Sequence, residues 1–175
     1  AWPSDLVKAA FFVVTREAVK EEALIDRMLS EGHVVGFHSM DHQNAMVRGY
    51  LHTKKDFRTG CEFMKRKGIS DIWYRPPWGL TNLFSWHLAR KYGMKMVLWD
   101  VMAEDWEREA TVGSIRKKCL SRVKDGSILC LHDGGRRTGG APGAPEKTLE
   151  ALTYVIPALK EAGCRFILPS EAVFR

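Results

Sequence analysis

The stretch Gly32–His42, "GHVVGFHSMDH", decides how this chain is read. Val34, Val35 and Phe37 form a short apolar run of the kind that fills a parallel strand buried on both faces. The run ends at His38, and a second imidazole follows four residues later at His42. In a tight loop or helical turn, two histidines at that spacing can point at one divalent ion. Taken alone, such a pair is more often surface or core. Its place directly after an apolar strand, with Ser39 and Asp41 between, gives it meaning. Imidazole donors favour zinc, cobalt or nickel over magnesium. His33 starts the same strand, on the opposite rim, and reads as structural.

Working outward, strand-like and helix-like patterns alternate. Before the deciding stretch, Ala9–Val14 reads as a strand and Val19–Ser30 as a helix with Leu24, Ile25, Met28 and Leu29 on one face, closed by Gly32. After it come a helix over Lys54–Arg66 closed by Gly68 and a strand over Ile72–Tyr74 stopped by Pro76 and Pro77. Next are a helix over Leu83–Tyr92, a strand over Met94–Trp99, a helix over Gly113–Lys124 and a strand over Ile128–His132. The Gly/Pro-rich run "GGRRTGGAPGAP" is expected to be the least structured stretch. A helix over Lys147–Ala162, kinked at Pro157, and a strand over Arg165–Leu168 close the chain. Repeated β-then-α units imply a parallel sheet or a (β/α) barrel. In such folds active sites lie at the carboxyl ends of strands, which is where the remaining polar residues recur.

In "YRPPWG", Arg75 is a fixed cation able to grip a carboxylate, or else part of a structural turn. The two prolines stiffen the loop and pre-position Trp78, whose backbone N–H can serve a developing oxyanion. In "LWDVMAEDW", Asp105 and Trp106 follow the fourth strand, and an indole at a rim is either a wall for a sugar ring or a core residue. Asp100, nearer the strand, reads as structural. In "ILCLHD", His132 ends an apolar run. An acid such as Asp105 beside it would favour the imidazolium and let it protonate a leaving group. His52 and His87 read as surface residues.

Composition sets the bounds. A chain of 175 residues, 45% hydrophobic and 27% charged, suits one globular domain with a sizeable core, and no apolar run reaches membrane-span length. The start lacks a signal peptide's long apolar region and reads as the inside of a domain. The net charge of +6 is compatible with anionic polymers, but Lys and Arg fall mostly on helical faces with no nucleic-acid-binding motif, so no nucleic-acid partner is expected. The four cysteines show no Cys-x-x-Cys spacing, which argues against a zinc knuckle or thioredoxin-like centre, and Cys130 reads as a buried thiol.

These motifs, in this order, resemble the polysaccharide deacetylases, the NodB-homology group or carbohydrate esterase family four. "KAAFFVV" is similar to that family's strand "KATFFVVG", and "EGHVVGFHSMDH" to its "EGHEIGNHSYTH". "RPPWG", "EDW" and "LCLHD" match its third motif, the end of its fourth, and its fifth, and "EKTLEALTYVIPALKEAGCRFILPSE" resembles its closing helix and strand. The resemblance covers almost the whole chain as a single domain. It implies a distorted (β/α) barrel of parallel strands that removes N- or O-acetyl groups from peptidoglycan, chitin-like oligomers or xylan, outside the cell or in its envelope. It implies zinc or another divalent metal held by His38 and His42. Arg75 would orient the catalytic base and Asp105 would pair with the general acid His132. Pro77, Trp78, Trp106 and Leu131 would line the acetyl and sugar pocket. Substrate choice would fall to the loops "VRGYLH" and "RRTGGAPGAP".

Two departures stand out. The family's Asp-Asp pair, on a first strand ahead of "KAAFFVV", supplies its base and third metal ligand. That strand and loop are expected to be missing from this chain, which begins in mid-element; Asp5, the one carboxylate before the strand, stands where the following helix should end and is not taken in their place. Met102 replaces an Asp the family often carries. The alternative expectation is a non-catalytic carbohydrate-binding relative of the same fold.

Overall fold

The computed structural model describes residues 7–134 and 139–172. Asp5 and the residues 135–138 of the Gly/Pro-rich run lie outside them. The chain divides into two compact units, Ala1–Leu98 with Phe166–Arg175, and Trp99–Arg165.

In the first unit, β1 (Ala10–Val13), β2 (Val34–Phe37), β3 (Trp73–Tyr74) and β4 (Lys95–Met96) form a parallel sheet in that spatial order. The register sets Val13 beside Phe37, Phe37 beside Tyr74, and Tyr74 beside Met96. The ladder runs on past the strands: His38 N–H donates to the Val13 carbonyl and Arg75 N–H to the Phe37 carbonyl, both at 3.0 Å. His38 and Arg75 therefore leave adjacent strands at the same end, as the alternating pattern predicts.

The helices of this unit are α1 (Thr15–Ala18), α2 (Glu22–Ser30), α3 (Tyr50–Arg66) and α4 (Leu83–Lys91). The expected helix Val19–Ser30 is α2, which starts three residues later at Glu22, and the separate turn α1 precedes it. Thr15 and Arg16 N–H groups bond the Ser39 and Met40 carbonyls, which pins α1 to the His38–His42 loop. α2, α3 and α4 stop where Gly32, Gly68 and Gly93 take left-handed φ. The core joins Phe37, Phe57 and Tyr74, whose ring centroids lie 4.8–5.5 Å apart. Gly60 makes this possible: a Cβ there would stand 2.2 Å from the Phe37 ring.

In the second unit, β5 (Val101–Met102) and β6 (Leu129–Cys130) pair in parallel, and α5 (Val112–Arg122) packs on α6 (Ala144–Glu161). Thr111 and Ser114 cap α5 reciprocally. α6 buries Thr148, Ala151, Val155 and Leu159 as one helical stripe and continues through Pro157. The expected strand Met94–Trp99 is only Lys95–Met96, and the strand that leads to Asp105 is β5, in the other sheet. Arg165–Leu168 is not a strand: Ile167 is half exposed and the run pairs with no strand among the described residues. None of the four cysteines forms a disulfide, and Cys61, Cys119 and Cys130 are buried. No helix among the described residues is long and apolar enough to cross a membrane.

Candidate active site

In the first unit the loop after β2 turns sharply. Ser39 and His42 take φ of 64° and 51°, which brings the His38 and His42 rings to 4.9 Å. Among the described non-glycine residues, positive φ occurs only at Ser39, His42, Trp78 and Glu104. Each lies within one of the histidine, arginine or acidic motifs. Left-handed backbone at a residue with a Cβ costs about 1–2 kcal/mol, and such strain collects at functional sites.

His38 Nδ1 lies 2.6 Å from the Arg75 carbonyl oxygen. A carbonyl only accepts, so Nδ1 carries the proton and a neutral ring keeps its lone pair on Nε2. This is the tautomer a metal-ligating histidine needs, with the other ring nitrogen bonded to an acceptor as such ligands normally are. His42 packs against Trp78 at 4.5 Å, and the Trp78 side chain is otherwise 56% exposed. Pro77 beneath it is buried. The Arg75 guanidinium lies over the Phe12 ring at 4.1 Å and donates to the Leu98 carbonyl at 3.0 Å. Two neighbouring imidazoles are a donor type that suits zinc, cobalt or nickel. Among the described residues no group of three or more His, Cys, Asp or Glu gathers that could hold one.

The loop is held from below. Asp41 pairs with Arg16, and Asp56 on α3 accepts the Met40 N–H. Asp56 borders a cavity of about 120 Å³ shared with Ser39, Asp41, Gln43 and Tyr74. Burial pushes its carboxyl up to about 6; the Met40 hydrogen bond opposes that rise and the Asp41 charge adds to it. Burial and the nearby Asp56 charge likewise raise the Tyr74 hydroxyl.

In the second unit, Asp105 is fully buried and accepts three hydrogen bonds. Oδ1 faces His132 Nδ1 at 2.9 Å, while Oδ2 takes the His132 backbone N–H at 2.7 Å and the Thr148 hydroxyl at 2.9 Å. Burial alone would raise this carboxyl. The His132 side chain and backbone, then Thr148, outweigh it and hold Asp105 below the usual carboxylate range. The pair keeps the proton on Nδ1 and turns Nε2 outward from a half-exposed ring. Trp106 packs edge-on against that ring at 4.6 Å, and Leu131 beside it is half-buried. The preceding Glu104 is tied to Lys118 and Arg122.

The structure thus brings His38, His42, Arg75, Pro77 and Trp78 together in one unit, and Asp105, Trp106 and His132 in the other. Asp100 accepts the Ile128 N–H and His33 accepts the Ala9 N–H, both structural as expected. His52 and His87 are exposed. Sequence reasoning missed Asp56 and Thr148. Asp56 carried a signal, as the one acid in the run "KKDFR"; Thr148, inside a plain amphipathic helix, carried none.

Comparison with known proteins places this geometry. The sequence pattern of the family described as polysaccharide deacetylase matches residues 4–97. A peptidoglycan-N-acetylglucosamine deacetylase of Bacillus cereus is 30% identical over 166 residues, 94% of this chain and 74% of the relative. The crystal structure of the Bc1960 peptidoglycan N-acetylglucosamine deacetylase, in complex with 4-naphthalen-1-yl-N-oxidanyl-benzamide, superposes with a TM-score of 0.83 at 28% identity, covering 94% of this chain and 74% of that one. A family 4 acetyl xylan esterase from Clostridium thermocellum, in complex with a cobalt ion, gives 0.80 at 27% identity, covering 94% and 76%. The α/β fold with parallel strands expected from the sequence is the fold of these enzymes, and the chain belongs to the polysaccharide deacetylase family.

Proposed function

We propose that this chain belongs to a divalent-metal-dependent hydrolase that removes acetyl groups, N-linked foremost, from an envelope or chitin-like polysaccharide, with residues 1–175 lying in one deacetylase-like domain. The Bacillus cereus relative supports peptidoglycan as the substrate and the cell envelope or exterior as the place. The cobalt-containing esterase supports a divalent metal, of which zinc best matches two imidazole donors.

One observation carries the reading: His38 is locked by the Arg75 carbonyl in the ligand tautomer, beside a His42 held at a strained φ. In this proposal His38 and His42 hold the ion. Its chemistry there is Lewis acidity toward the acetyl carbonyl oxygen and a lowered pKa for coordinated water. The Arg75 loop fixes His38; the Asp-Asp pair that the resemblance makes the base and third ligand does not occur in residues 1–175. Pro77, Trp78, Trp106 and Leu131 bound the acetyl group and sugar ring. Water adds to the acetyl carbon, the carbon–nitrogen bond breaks, and acetate and a free amine leave. His132 donates the proton from Nε2 to the departing nitrogen, and Asp105 steadies the imidazolium through Nδ1.

The test is acetate release from N-acetylated glycan oligomers. Chelation should abolish it, cobalt or zinc should restore it, and His38→Ala should not be restored by either metal. Acetate release that survives chelation overturns the proposal.

A further inference from the structure

Among the described residues of the first unit, the most exposed apolar side chains lie on the loop after His42 and at the start of α4. Leu83 is 87% exposed, Leu51 79% and Val47 74%, with Met46 and Trp86 more than half exposed. They form one patch because the loop and the helix are tied together. The Asn82 side-chain amide donates to the Ala45 and Arg48 carbonyls, and the Tyr50 and Phe84 rings meet edge-on at 5.7 Å. α4 continues the patch as an open groove lined by Leu83, Trp86, His87, Arg90 and Lys91. Separate exposed leucines need no explanation, whereas a joined patch marks an interaction site.

Its charge says what it meets. No Asp or Glu occurs from Gln43 to Lys55 or from Arg75 to Trp99, while Arg48, Lys54, Lys55, Arg90 and Lys91 all do. Within these two segments every charged side chain is a cation. A glycan is the weaker fit. Sugar rings need bare aromatic faces, and here Arg90 lies over Trp86 and Lys54 over Tyr50. The residues that protrude furthest are aliphatic, and the segments hold no carboxylate to bind sugar hydroxyls. Aliphatic residues with Trp, Tyr and Phe inside a basic rim match the interface of an anionic bilayer, where apolar side chains enter the acyl boundary and cations meet phosphate.

We propose that this face docks the protein peripherally on an anionic lipid surface. The loop "VRGYLH", expected from sequence to line a substrate groove, would then be a membrane-facing element. The inference does not depend on the proposed catalysis.

Co-sedimentation with phosphatidylcholine vesicles, with and without phosphatidylglycerol, tests it. The chain should pellet with phosphatidylglycerol vesicles and be released by high salt. The double variant Leu51→Glu/Leu83→Glu should bind at least ~10-fold more weakly with an unchanged circular dichroism spectrum. Arg90→Ser/Lys91→Ser, which leaves the apolar residues in place, should weaken binding and flatten its salt dependence. Failure to pellet, or binding indifferent to both variants, overturns the proposal. So does finding that the same substitutions abolish self-association in sedimentation velocity, or retention on peptidoglycan, while vesicles are ignored.

Discussion

The His38–His42 loop and the Asp105–His132 pair both set a histidine for chemistry, by opposite physical means. In the second unit the orienting acid is ionised at neutral pH, fully buried and given three donors, so hydrogen bonding outweighs desolvation. In the first unit the orienting forces are a left-handed backbone and an acid, Asp56, for which desolvation outweighs hydrogen bonding. One imidazole rests on a satisfied charge. The other rests on strain and on a carboxyl that resists ionising. Two aspartates below two histidine motifs therefore make opposite contributions to stability as pH changes.

The largest expected effect comes from breaking the satisfied side. Asp105→Ala removes the acceptor for the His132 ring and backbone and for the buried Thr148 hydroxyl. The expected loss is ~3 kcal/mol or more, a melting temperature about 10 °C lower, together with deacetylation. Asp105→Asn should keep more stability while still losing activity, because an amide cannot stabilise the imidazolium. The pH signature is specific. A carboxyl held below its unfolded value adds stability above that value and loses it as pH falls through the folded one. Thermal scans through the acid range should show this loss in the parent and not in Asp105→Asn.

The intermediate effect tests the strained side and has the reverse sign. The Asp56 carboxyl rises from 3.8 to about 6. Its contribution is present below the unfolded value and is lost as pH climbs through the folded one. Asp56→Asn keeps an oxygen for the Met40 N–H and removes the ionisation, so it should stabilise the chain at neutral pH by about 2 kcal/mol. The gain should shrink steadily as pH is lowered from 7 to 4. Equal stability of the two proteins across that range would show that Asp56 is not desolvated as described.

Legibility followed the range of the interactions. β1, β2, α2 and α4 were readable because apolar runs and closing glycines are local signals. His38, His42, Arg75, Asp105 and His132 were readable as polar residues breaking such runs. The split of the expected Met94–Trp99 strand was not, because β4 and β5 have two residues each and two residues carry no periodicity. Arg165–Leu168 misled for the converse reason, an apolar run with no strand beside it. Asp56 lies 16 residues from Met40, and Thr148 lies 43 from Asp105. No local pattern joins either pair, and only the packing of α3 and α6 reveals them.

Thr148 also supplies the smallest and finest test of the comparison. Its hydroxyl reaches Asp105 Oδ2 at 2.9 Å and the Ala144 carbonyl at 3.1 Å, and its single proton can serve only one well. If that proton goes to Asp105, Thr148→Val removes a donor from a buried charge while keeping the side chain's volume. Stability should fall by ~1–2 kcal/mol, and the Asp105 carboxyl should move up towards the ordinary range. The acid-side loss of stability should then be smaller and end at higher pH than in the parent, with His132 still paired through Nδ1. If the proton instead serves Ala144 within α6, the same variant should lose stability equally at all pH values and leave the acid slope where it was. The size of that acid-side loss separates a member of the Asp105 network from a helix residue that merely lies beside it.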